Sequence, residues 1–277
     1  MSWEEVLDSI AANAEKAMGG EAPGDYYEDG LLVCGTCRTR KQTRIKPFGT
    51  ERIVRCTCRC EVERMEKEEQ ERKLAMLRLR YRQEGFPESD MANWNFATDD
   101  GTDARTINAM RAYVENFADL KKHGKGLLLY GPCGTGKTFA AACAANALID
   151  KGIPCLMTNF SRITNTVSGM FEGKQKYLDS LNNYDLVVLD DLGAERSTDY
   201  MNEMVYNIID ARYRANLPMI ITSNLTGEEL KNPKNIAEQR VFNRILERCH
   251  PIEVAGRDRR RQKIVTGYGE MQALLGL

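Results

Sequence analysis

The chain has 277 residues, of which 42 % are hydrophobic and 29 % charged, a composition typical of globular proteins. Acidic and basic residues nearly cancel at a net charge of −1, so the overall charge indicates no particular partner. No apolar run approaches the roughly 18 residues that span a bilayer, and the N-terminal MSWEEVLDSI has acids where a signal peptide has basic residues. We therefore expect a cytoplasmic protein without a membrane segment.

The N-terminal third differs in pattern from the rest of the chain. A short amphipathic helix is predicted from Trp3 to Met18, and a break rich in glycine and proline follows it. Further along, helix-forming residues with opposite charges three or four positions apart predict a solvated helix that ends at Gly85. We expect an N-terminal unit at 1–62, a charged helical linker at 63–90 and a larger domain at 91–277.

Five of the nine cysteines lie in two groups, CGTC at 34–37 and CTCRC at 56–60. Without an export signal, these thiols are expected to be reduced or metal-bound rather than paired in disulfides. Two such turns can supply the four thiolates of a tetrahedral Zn²⁺ site. A redox CxxC or an iron–sulfur cluster is the alternative, and the basic stretch RTRKQTRIK between the groups could contact nucleic acid or an acidic partner. The predicted Zn²⁺ ligands are Cys34, Cys37, Cys56 and Cys58, with Cys60 as the alternative to Cys58.

From about Phe86 onward, short apolar strands alternate with helices. A helix is predicted at 137–150, and strands are predicted at 126–130, 155–159, 186–189, 219–222 and 252–254. Continuous apolar strands separated by helices are typical of a parallel sheet that is covered on both faces. The sequence therefore predicts an α/β domain built on a five-stranded parallel sheet.

The sequence GPCGTGKT at 131–138 fits the phosphate-loop pattern GxxxxGK[ST] between a predicted strand and a predicted helix. Its glycines allow the backbone amides and the helix N-terminus to bind phosphate oxygens. Lys137 is expected to reach the β- and γ-phosphates, and the Thr138 hydroxyl is expected to bind Mg²⁺. The predicted nucleotide-binding residues are Gly131, Pro132, Cys133, Gly134, Thr135, Gly136, Lys137 and Thr138.

Two other predicted strands end in polar residues at the same edge of the sheet. Asp190 and Asp191 follow LVVL, and we expect Asp190 to bind Mg²⁺ and Asp191 to orient or deprotonate an attacking water. Asn224 follows MIITS and is a candidate to bind the γ-phosphate or that water, although asparagine is also a common turn residue.

Together with QRVFNRILER at 239–248, these motifs resemble the AAA+ clade of DnaC-type replicative helicase loaders and IstB-type transposition ATPases. The resemblance covers roughly Trp94 to Val265. In that family the motifs are Walker A, Walker B, sensor 1 and the arginine-finger box. The resemblance therefore implies an AAA+ P-loop fold, ATP as the nucleotide and Mg²⁺-dependent hydrolysis.

Arg240, Arg244 and Arg248 form a row on one predicted helix beside an apolar stripe. The resemblance implies that Arg244, with Arg240 as the alternative, acts on the ATP of a neighbouring subunit, and hence that the chain self-associates in ATP. About two dozen residues follow Val254, too few for the full helical lid of typical AAA+ proteins. A basic cluster at 256–263 lies there, and contact with nucleotide, with single-stranded nucleic acid or with solvent alone are its open alternatives. The resemblance matches the family's arginine in this element to Arg260, although Asp258 stands where the family usually has serine.

The region between the second and third strands, in the family, carries an extra helix that contacts single-stranded DNA. Its basic candidates are Arg162, Lys174 and Lys176, and a merely solvated helix is the alternative. Upstream, Trp94 and Phe96 either border the adenine or anchor their segment in the core, and we favour the anchor.

The family implies an ATP-dependent loader of phage or mobile-element type that delivers a hexameric DnaB-type helicase onto single-stranded DNA. Its zinc unit would bind the helicase. An IstB-like helper of a DNA transposase is the nearest alternative, and the zinc-bearing N-terminus favours the loader. A nucleotide-gated adaptor with negligible hydrolysis is a further alternative, because Asp191 stands where many AAA+ proteins have glutamate.

Overall fold

The computed structural model describes residues 21–86, 88, 90–194, 198–259, 268, 271–272 and 274–275. The predicted helix from Trp3 to Met18 lies outside these residues, as do Arg260 and the rest of the basic cluster to residue 263. Among the described residues, no helix combines the length and the apolar character that crossing a bilayer requires. The chain divides into two compact units between Met76 and Leu77.

The N-terminal unit contains two antiparallel hairpins that the sequence analysis missed. Strands β1 (Tyr26–Glu28) and β2 (Leu31–Val33) form the first hairpin, and β3 (Gln42–Ile45) and β4 (Arg52–Arg55) form the second. In residues 21–76, the part of this unit that the structure describes, the buried hydrophobic residues are few: Leu31, Leu32, Val33, Cys34 and Cys58. So small a core supplies little free energy of folding, which is typical of units that a metal stabilises.

Helix α1 (Arg59–Gly85) matches the predicted solvated helix and ends at the predicted residue. Its surface carries ion pairs one turn apart, such as Lys73 to Glu69 at 2.7 Å and Arg80 to Glu84 at 2.9 Å. Exposed pairs of this kind stabilise a helix only weakly. At its end the helix packs tightly, because a Cβ on Gly85 would lie 2.4 Å from the carbonyl oxygen of Cys155.

The second unit is built on the predicted parallel five-stranded sheet. Its strands are β5 (Gly126–Tyr130), β6 (Cys155–Asn159), β7 (Leu186–Leu192), β8 (Met219–Ser223) and β9 (Cys249–Glu253). They lie in the order β6-β7-β8-β5-β9. Three strands differ from the prediction in their bounds. β7 continues through both aspartates to Leu192, and β8 ends one residue later, at Ser223. β9 begins earlier because Cys249 pairs with Gly126, and it ends one residue earlier, at Glu253.

Helices cover both faces of this sheet. They are α2 (Ala104–Glu115), α3 (Phe117–Lys122), α4 (Lys137–Asp150), α5 (Phe160–Ser168), α6 (Lys174–Ser180), α7 (Asp199–Arg214), α8 (Gly227–Lys231) and α9 (Ile236–Arg248). One buried cluster contains Leu127 and Leu129 with helices α2 and α4, whereas the intervening Leu128 belongs to a second cluster with α5, α7 and α9. Alternate residues of each strand therefore enter different cores, as a parallel sheet requires.

A fully buried arginine fixes the starts of two central strands. The Arg212 guanidinium on α7 donates to the carbonyl oxygens of Leu181, Tyr184, Asp185 and Pro218 at 2.6–3.3 Å. Burial lowers the pKa of Arg212 to about 10, and the four carbonyls replace its lost hydration. Because Asp185 precedes β7 and Pro218 precedes β8, this contact aligns the two strands that carry the acids and Asn224.

The sequence predicts that no full helical lid follows Val254. The structure describes only residues 255–259, 268, 271–272 and 274–275 of this part of the chain, so the absence of the lid stays a prediction.

Candidate functional site

The carboxyl ends of β5, β7 and β8 open into a cleft of about 1050 Å³, which is large enough for a nucleotide. The phosphate loop forms its floor. The cleft brings together these predicted site residues: Cys133, Gly134, Gly136, Lys137, Thr138, Asp190, Asp191 and Asn224. Gly131, Pro132 and Thr135 complete the loop, and the Thr135 hydroxyl donates to the Pro132 carbonyl oxygen at 3.0 Å.

The phosphate loop depends on glycine at its turn into α4. Gly136 has a φ of 100°, and a Cβ at this position would lie 3.0 Å from the Arg259 guanidinium carbon. Lys137 is 5 % exposed, and its ammonium group donates to the carbonyl oxygens of Gly131 and Pro132 at 2.9 and 2.7 Å. The positive charge is therefore held within the loop, close to the backbone amides that would bind phosphate.

The two acids lie opposite a single threonine of the neighbouring strand. Pairing between β7 and β8 is regular up to Leu189, shifts, and resumes at Leu192, so that Asp190 and Asp191 together face Thr222. The Thr222 hydroxyl donates to Asp190 Oδ1 at 2.6 Å and accepts from the Asp191 amide at 2.9 Å. Asp191 adopts the left-handed region with a φ of 59°, a conformation with an energetic cost that often accompanies functional sites.

Thr222 is a site residue that the sequence analysis missed. A threonine in an apolar strand has an ordinary structural explanation, because β-branched residues favour strands. Burial raises the pKa of Asp190, while the hydrogen bonds from Thr222 and from Thr138 oppose that rise. Thr222 therefore helps to keep Asp190 ionised next to Thr138, an arrangement of hard oxygen ligands that fits Mg²⁺.

Asn224 lies just beyond the end of β8. Its side-chain amide is 3.5 Å from Asp191 Oδ1, the long limit of a hydrogen bond, and its side chain is exposed to the cleft. The structure thus places Asn224 beside the acid that is expected to orient water.

The far side of the cleft is apolar and suits a nucleotide base. Trp94 packs on Phe139 with ring centroids 5.7 Å apart, and both rings line the cleft. The buried Asn146 amide donates to the carbonyl oxygens of Met91 and Trp94, each at 2.8 Å, and so fixes this segment. Trp94 and Phe96 both pack against the core, as the favoured interpretation predicted, and Trp94 also borders the cleft. Arg111 stacks on the Phe96 ring at 4.7 Å.

A second missed residue, Arg259, lies over the phosphate loop. Its backbone amide donates to the Gly134 carbonyl oxygen at 3.0 Å, and its guanidinium is 3.1 Å from Asp100 and 3.5 Å from Asp99. The family resemblance matches the arginine of this element to Arg260, which lies outside the described residues. Within the described part of this cluster, Arg259 is the arginine that lines the cleft.

Two of the three arginines in the row on α9 already have partners within the chain. Arg244 forms an ion pair with Asp210 of α7, and its guanidinium lies 4.5 Å from the ring centroid of Tyr206. Arg248 donates to Asn216 Oδ1 at 2.7 Å. Arg240 is exposed. Neither Arg240 nor Arg244 lines the cleft of its own chain.

The basic candidates between β6 and β7 occupy two different places. Arg162 lines the nucleotide cleft, whereas Lys174 and Lys176 lie on α6. The loop that joins α5 to α6 carries Phe171, whose side chain is fully exposed.

The N-terminal unit brings four thiols together. Their sulfur atoms all lie within 4.8 Å of one another, with Cys34 to Cys60 at 3.7 Å and Cys58 to Cys60 at 3.4 Å. The edges of a ZnS₄ tetrahedron with Zn–S bonds of about 2.3 Å measure about 3.8 Å. The thiols of Cys34, Cys37, Cys58 and Cys60 thus already approximate that geometry.

This set differs from the predicted ligands at Cys56. Its thiol donates to the Arg40 carbonyl oxygen at 3.3 Å, because Cys56 still follows the pairing of β4 with β3. Cys58 precedes α1 and Cys60 lies in its first turn, and this helix start turns both thiols into the cluster. Choosing Cys56 and leaving out either Cys58 or Cys60 was therefore wrong for the geometry of the cluster.

The cluster favours thiolates at one of its turns. A hydrogen bond from the Thr39 hydroxyl lowers the pKa of Cys37 to about 5, and backbone amides lower the pKa of Cys34. Hydrogen bonds among the crowded sulfurs raise the pKa of Cys60 to about 12. Cys60 therefore retains the proton that these hydrogen-bonded sulfurs share, and a metal ligand must lose that proton when a divalent cation binds.

Comparison with known proteins gives a consistent set of relatives. A family model described as IstB-like ATP binding protein matches residues 55–266. The replicative helicase loader DnaI of Bacillus subtilis is 28 % identical over 190 residues, covering 62 % of this chain and 60 % of that protein. The replicative helicase loader DnaC of Escherichia coli K12 is 26 % identical over 143 residues, covering 50 % and 56 %. The matches thus span less than two thirds of either loader.

A longer match links the chain to a phage-like element. The PBSX protein XkdC of Bacillus subtilis is 24 % identical over 256 residues, which cover 89 % of this chain and 90 % of that protein. Among solved structures, one titled as DnaI superposes with a TM-score of 0.53 and 27 % identity over 64 % of this chain and 95 % of that one. One titled as the DnaC helicase loader gives 0.52 and 27 % over 61 % and 100 %.

The hydrogen bonds of Thr222 predict how turnover depends on pH and on Mg²⁺. Thr222→Val removes the donor that favours the ionised carboxylate, so the pKa of Asp190 rises. Because a metal ligand must be ionised, we expect the acidic limb of ATP turnover to move to higher pH and the Mg²⁺ requirement to increase about tenfold. Thr222→Ser keeps the hydroxyl and is expected to resemble the wild type. Steady-state ATPase assays over pH and Mg²⁺ concentration measure both, and an unchanged profile for Thr222→Val contradicts the assignment.

The cysteine geometry predicts which thiols retain metal. We expect elemental analysis of protein purified without added metal to find about one Zn²⁺ per chain. Cys60→Ser should lose most of it, because this thiol belongs to the cluster. Cys56→Ser is the matched control and should retain it. Equal retention in both variants, or iron in place of zinc, contradicts a four-thiolate zinc site.

Proposed function

The chain belongs to the IstB-like ATP-binding protein family, and from this premise we propose that it is an ATP-dependent helicase loader. In this proposal it binds a hexameric DnaB-type replicative helicase and delivers it onto single-stranded DNA. The observation that carries the proposal is the complete phosphate, metal-binding and sensor arrangement on a fold shared with the DnaI and DnaC structures. The similarity to a phage-like element agrees with a loader of phage or mobile-element type.

The cleft supports ATP hydrolysis with defined roles for its residues. Lys137 and the loop amides bind the phosphates, while Thr138 and Asp190 hold Mg²⁺. The metal, when bound, neutralises charge on the phosphate oxygens. Asp191 then orients or deprotonates the attacking water, and Asn224, which is 3.5 Å from Asp191, responds to the state of the γ-phosphate. Trp94 and Phe139 enclose the base.

Self-association in ATP is the part of the proposal that involves Arg244. In the single chain, Asp210 and the ring of Tyr206 hold its guanidinium. To reach the ATP of a neighbouring subunit, Arg244 must leave this ion pair. Arg240 lies one turn away on α9 and is exposed, so it is the alternative finger. Either arginine would stabilise charge on the neighbour's phosphates during hydrolysis.

The remaining elements have proposed roles as partner contacts. Lys174 and Lys176, with the exposed Phe171 before them, supply the positive charges and the aromatic side chain that bind single strands. The zinc unit, held by Cys34, Cys37, Cys58 and Cys60, contacts the helicase. The match to the IstB-like model keeps a transposase helper as the second candidate, and the identity of the partner separates the two. An adaptor with negligible hydrolysis would instead show nucleotide binding without turnover.

A loading assay on circular single-stranded DNA tests the proposal. A closed circle has no free end, so a helicase ring must be opened to enclose it. We expect the chain and ATP to increase the amount of host helicase that co-elutes with the circle in gel filtration, and Lys137→Ala to abolish the increase. Lys122→Ala, which removes the same charge from the exposed surface of α3, should retain it. Helicase that neither associates with the chain nor loads in its presence contradicts the proposal.

The ion pair of Arg244 allows its catalytic and structural roles to be separated. Arg244→Ala should leave ATP binding by the single chain intact and reduce stimulated hydrolysis by about 10³-fold. Asp210→Asn breaks the same ion pair but keeps the guanidinium, so it should preserve hydrolysis. Mixing Arg244→Ala with Lys137→Ala should restore part of the activity where an intact pocket meets an intact arginine. If Arg240→Ala alone abolishes hydrolysis, Arg240 is the finger.

A further inference from the structure

The positive charge of the N-terminal unit is concentrated in one short segment. Residues 38–59 contain eight lysines and arginines and one acid, a net charge of +7, in a chain whose total is −1. The other 255 residues therefore carry −8. Four thiolates around Zn²⁺ would carry a net charge of −2, which leaves the segment strongly positive. So uneven a distribution is the electrostatic signature of a surface that binds an anionic polymer.

Most of these charges are available on the surface. Lys41 is not available to a ligand, because its ammonium group forms an ion pair at 2.6 Å with Asp25, whose side chain is 3 % exposed. Arg40 and Arg44 have longer contacts with exposed acids, at 4.0 and 3.8 Å. Exposed pairs of this kind are weak and are easily replaced by phosphate. Arg38 and Lys46 are exposed and have no acidic partner within the part of the chain that the structure describes.

An aromatic side chain stands at the tip of the same segment. The β3–β4 hairpin turns at Pro47–Gly49, where the Phe48 side chain is 98 % exposed. Phe48 also has a φ of 52°, which is unfavourable for a bulky residue. Burial does not explain this phenylalanine, and backbone preference opposes it. On the stem, Ile45 and Ile53 are also exposed and pair with Arg52 and Arg44 across the strands.

We propose that the β3–β4 hairpin is a binding site for single-stranded nucleic acid, in which Phe48 stacks on a base and the surrounding arginines and lysines bind the phosphates. A row of cations with an exposed aromatic ring is the arrangement that binds single strands without sequence preference. A duplex offers no free base face to Phe48, so the hairpin prefers unpaired strands.

Two features favour nucleic acid over an acidic protein as the ligand. Six of the eight basic residues are arginines, whose planar guanidinium binds phosphate in a bidentate manner. In addition, within residues 42–55, all of which the structure describes, the exposed large apolar side chains are Ile45, Phe48 and Ile53, which are too few for a large apolar patch. Stacking needs only one accessible ring, whereas a stable protein interface needs a contiguous apolar centre.

This inference goes beyond the proposed function and does not depend on it. The loader proposal assigns the zinc unit to the helicase and places the single-strand contacts on α6, in the other unit. A hairpin that binds single strands is compatible with either a loader or a transposase helper, because both act at nucleic acid. Its failure would leave the ATPase site and the partner unaffected.

Fluorescence anisotropy with a labelled oligo(dT) of about 16 nucleotides tests the site. The full chain is used without nucleotide, and Lys174→Ala with Lys176→Ala removes the proposed contacts of α6. In this background, Phe48→Ala should weaken binding about 5- to 100-fold. Phe48→Trp should retain binding and Phe48→Leu should not, because stacking requires a π face. Arg38→Ala with Lys46→Ala should reduce the slope of log Kd against log salt by about 1.4.

A matched control removes the same charges elsewhere in the unit. Lys67→Ala with Arg72→Ala acts on the exposed surface of α1 and should leave both the affinity and the salt slope unchanged. Circular dichroism and zinc content confirm that each hairpin variant is folded. Unchanged oligo(dT) affinity in the folded Phe48→Ala variant overturns the proposal. Loss of helicase association with unchanged oligo(dT) affinity also overturns it and makes the hairpin a protein-docking surface.

Discussion

The candidate ATPase site depends on one hydroxyl at the place where two parallel strands lose register. Between Leu189 and Leu192, β7 has two residues where β8 has one, and Thr222 bonds to both of the acids that this irregularity brings together. Bulges of this kind re-aim side chains next to active sites. In a regular strand, Asp190 and Asp191 would point to opposite faces of the sheet. The irregularity therefore lets both carboxylates line one cleft, and the Thr222 hydroxyl links both residues to β8, which ends just before Asn224.

Much of this architecture follows from burial, and burial can be predicted from the sequence. Strands such as Gly126–Tyr130 and the first four residues of Leu186–Leu192 are covered on both faces, so they are continuously apolar and have recognisable ends. The family match and the solved structures confirm the α/β fold with a parallel sheet that the strands predicted, and the AAA+ class that the family resemblance implied. The hairpins of the N-terminal unit escaped prediction because their strands have only three or four residues and little apolar alternation.

The site was predictable where its chemistry is carried by a motif, and it was not where it depends on contacts. Lys137, Thr138 and Asp190 belong to patterns with known spacing, and their roles here stay predictions. Thr222 acts through the hydrogen bond from its hydroxyl to Asp190, and Arg259 reaches the cleft because its backbone amide donates to Gly134. Both contacts join residues that are distant in the sequence, so no local pattern reveals them. Similarly, the spacing of the cysteines predicts a four-thiol cluster, but only the start of α1 decides that Cys60 belongs to it rather than Cys56.

The contacts of Arg244 suggest how assembly can respond to ATP under the proposed function. Its ion pair with Asp210 is largely shielded, with side chains 24 % and 12 % exposed, so breaking the pair in the absence of ATP would leave a poorly solvated carboxylate. Arg214 lies 2.7 Å from the same carboxylate and can compensate its charge when Arg244 leaves. A neighbour's γ-phosphate offers Arg244 a stronger, charge-assisted partner than ADP does. Under the proposed function, the γ-phosphate would therefore compete with Asp210 for Arg244 and favour the position of Arg244 that joins two subunits.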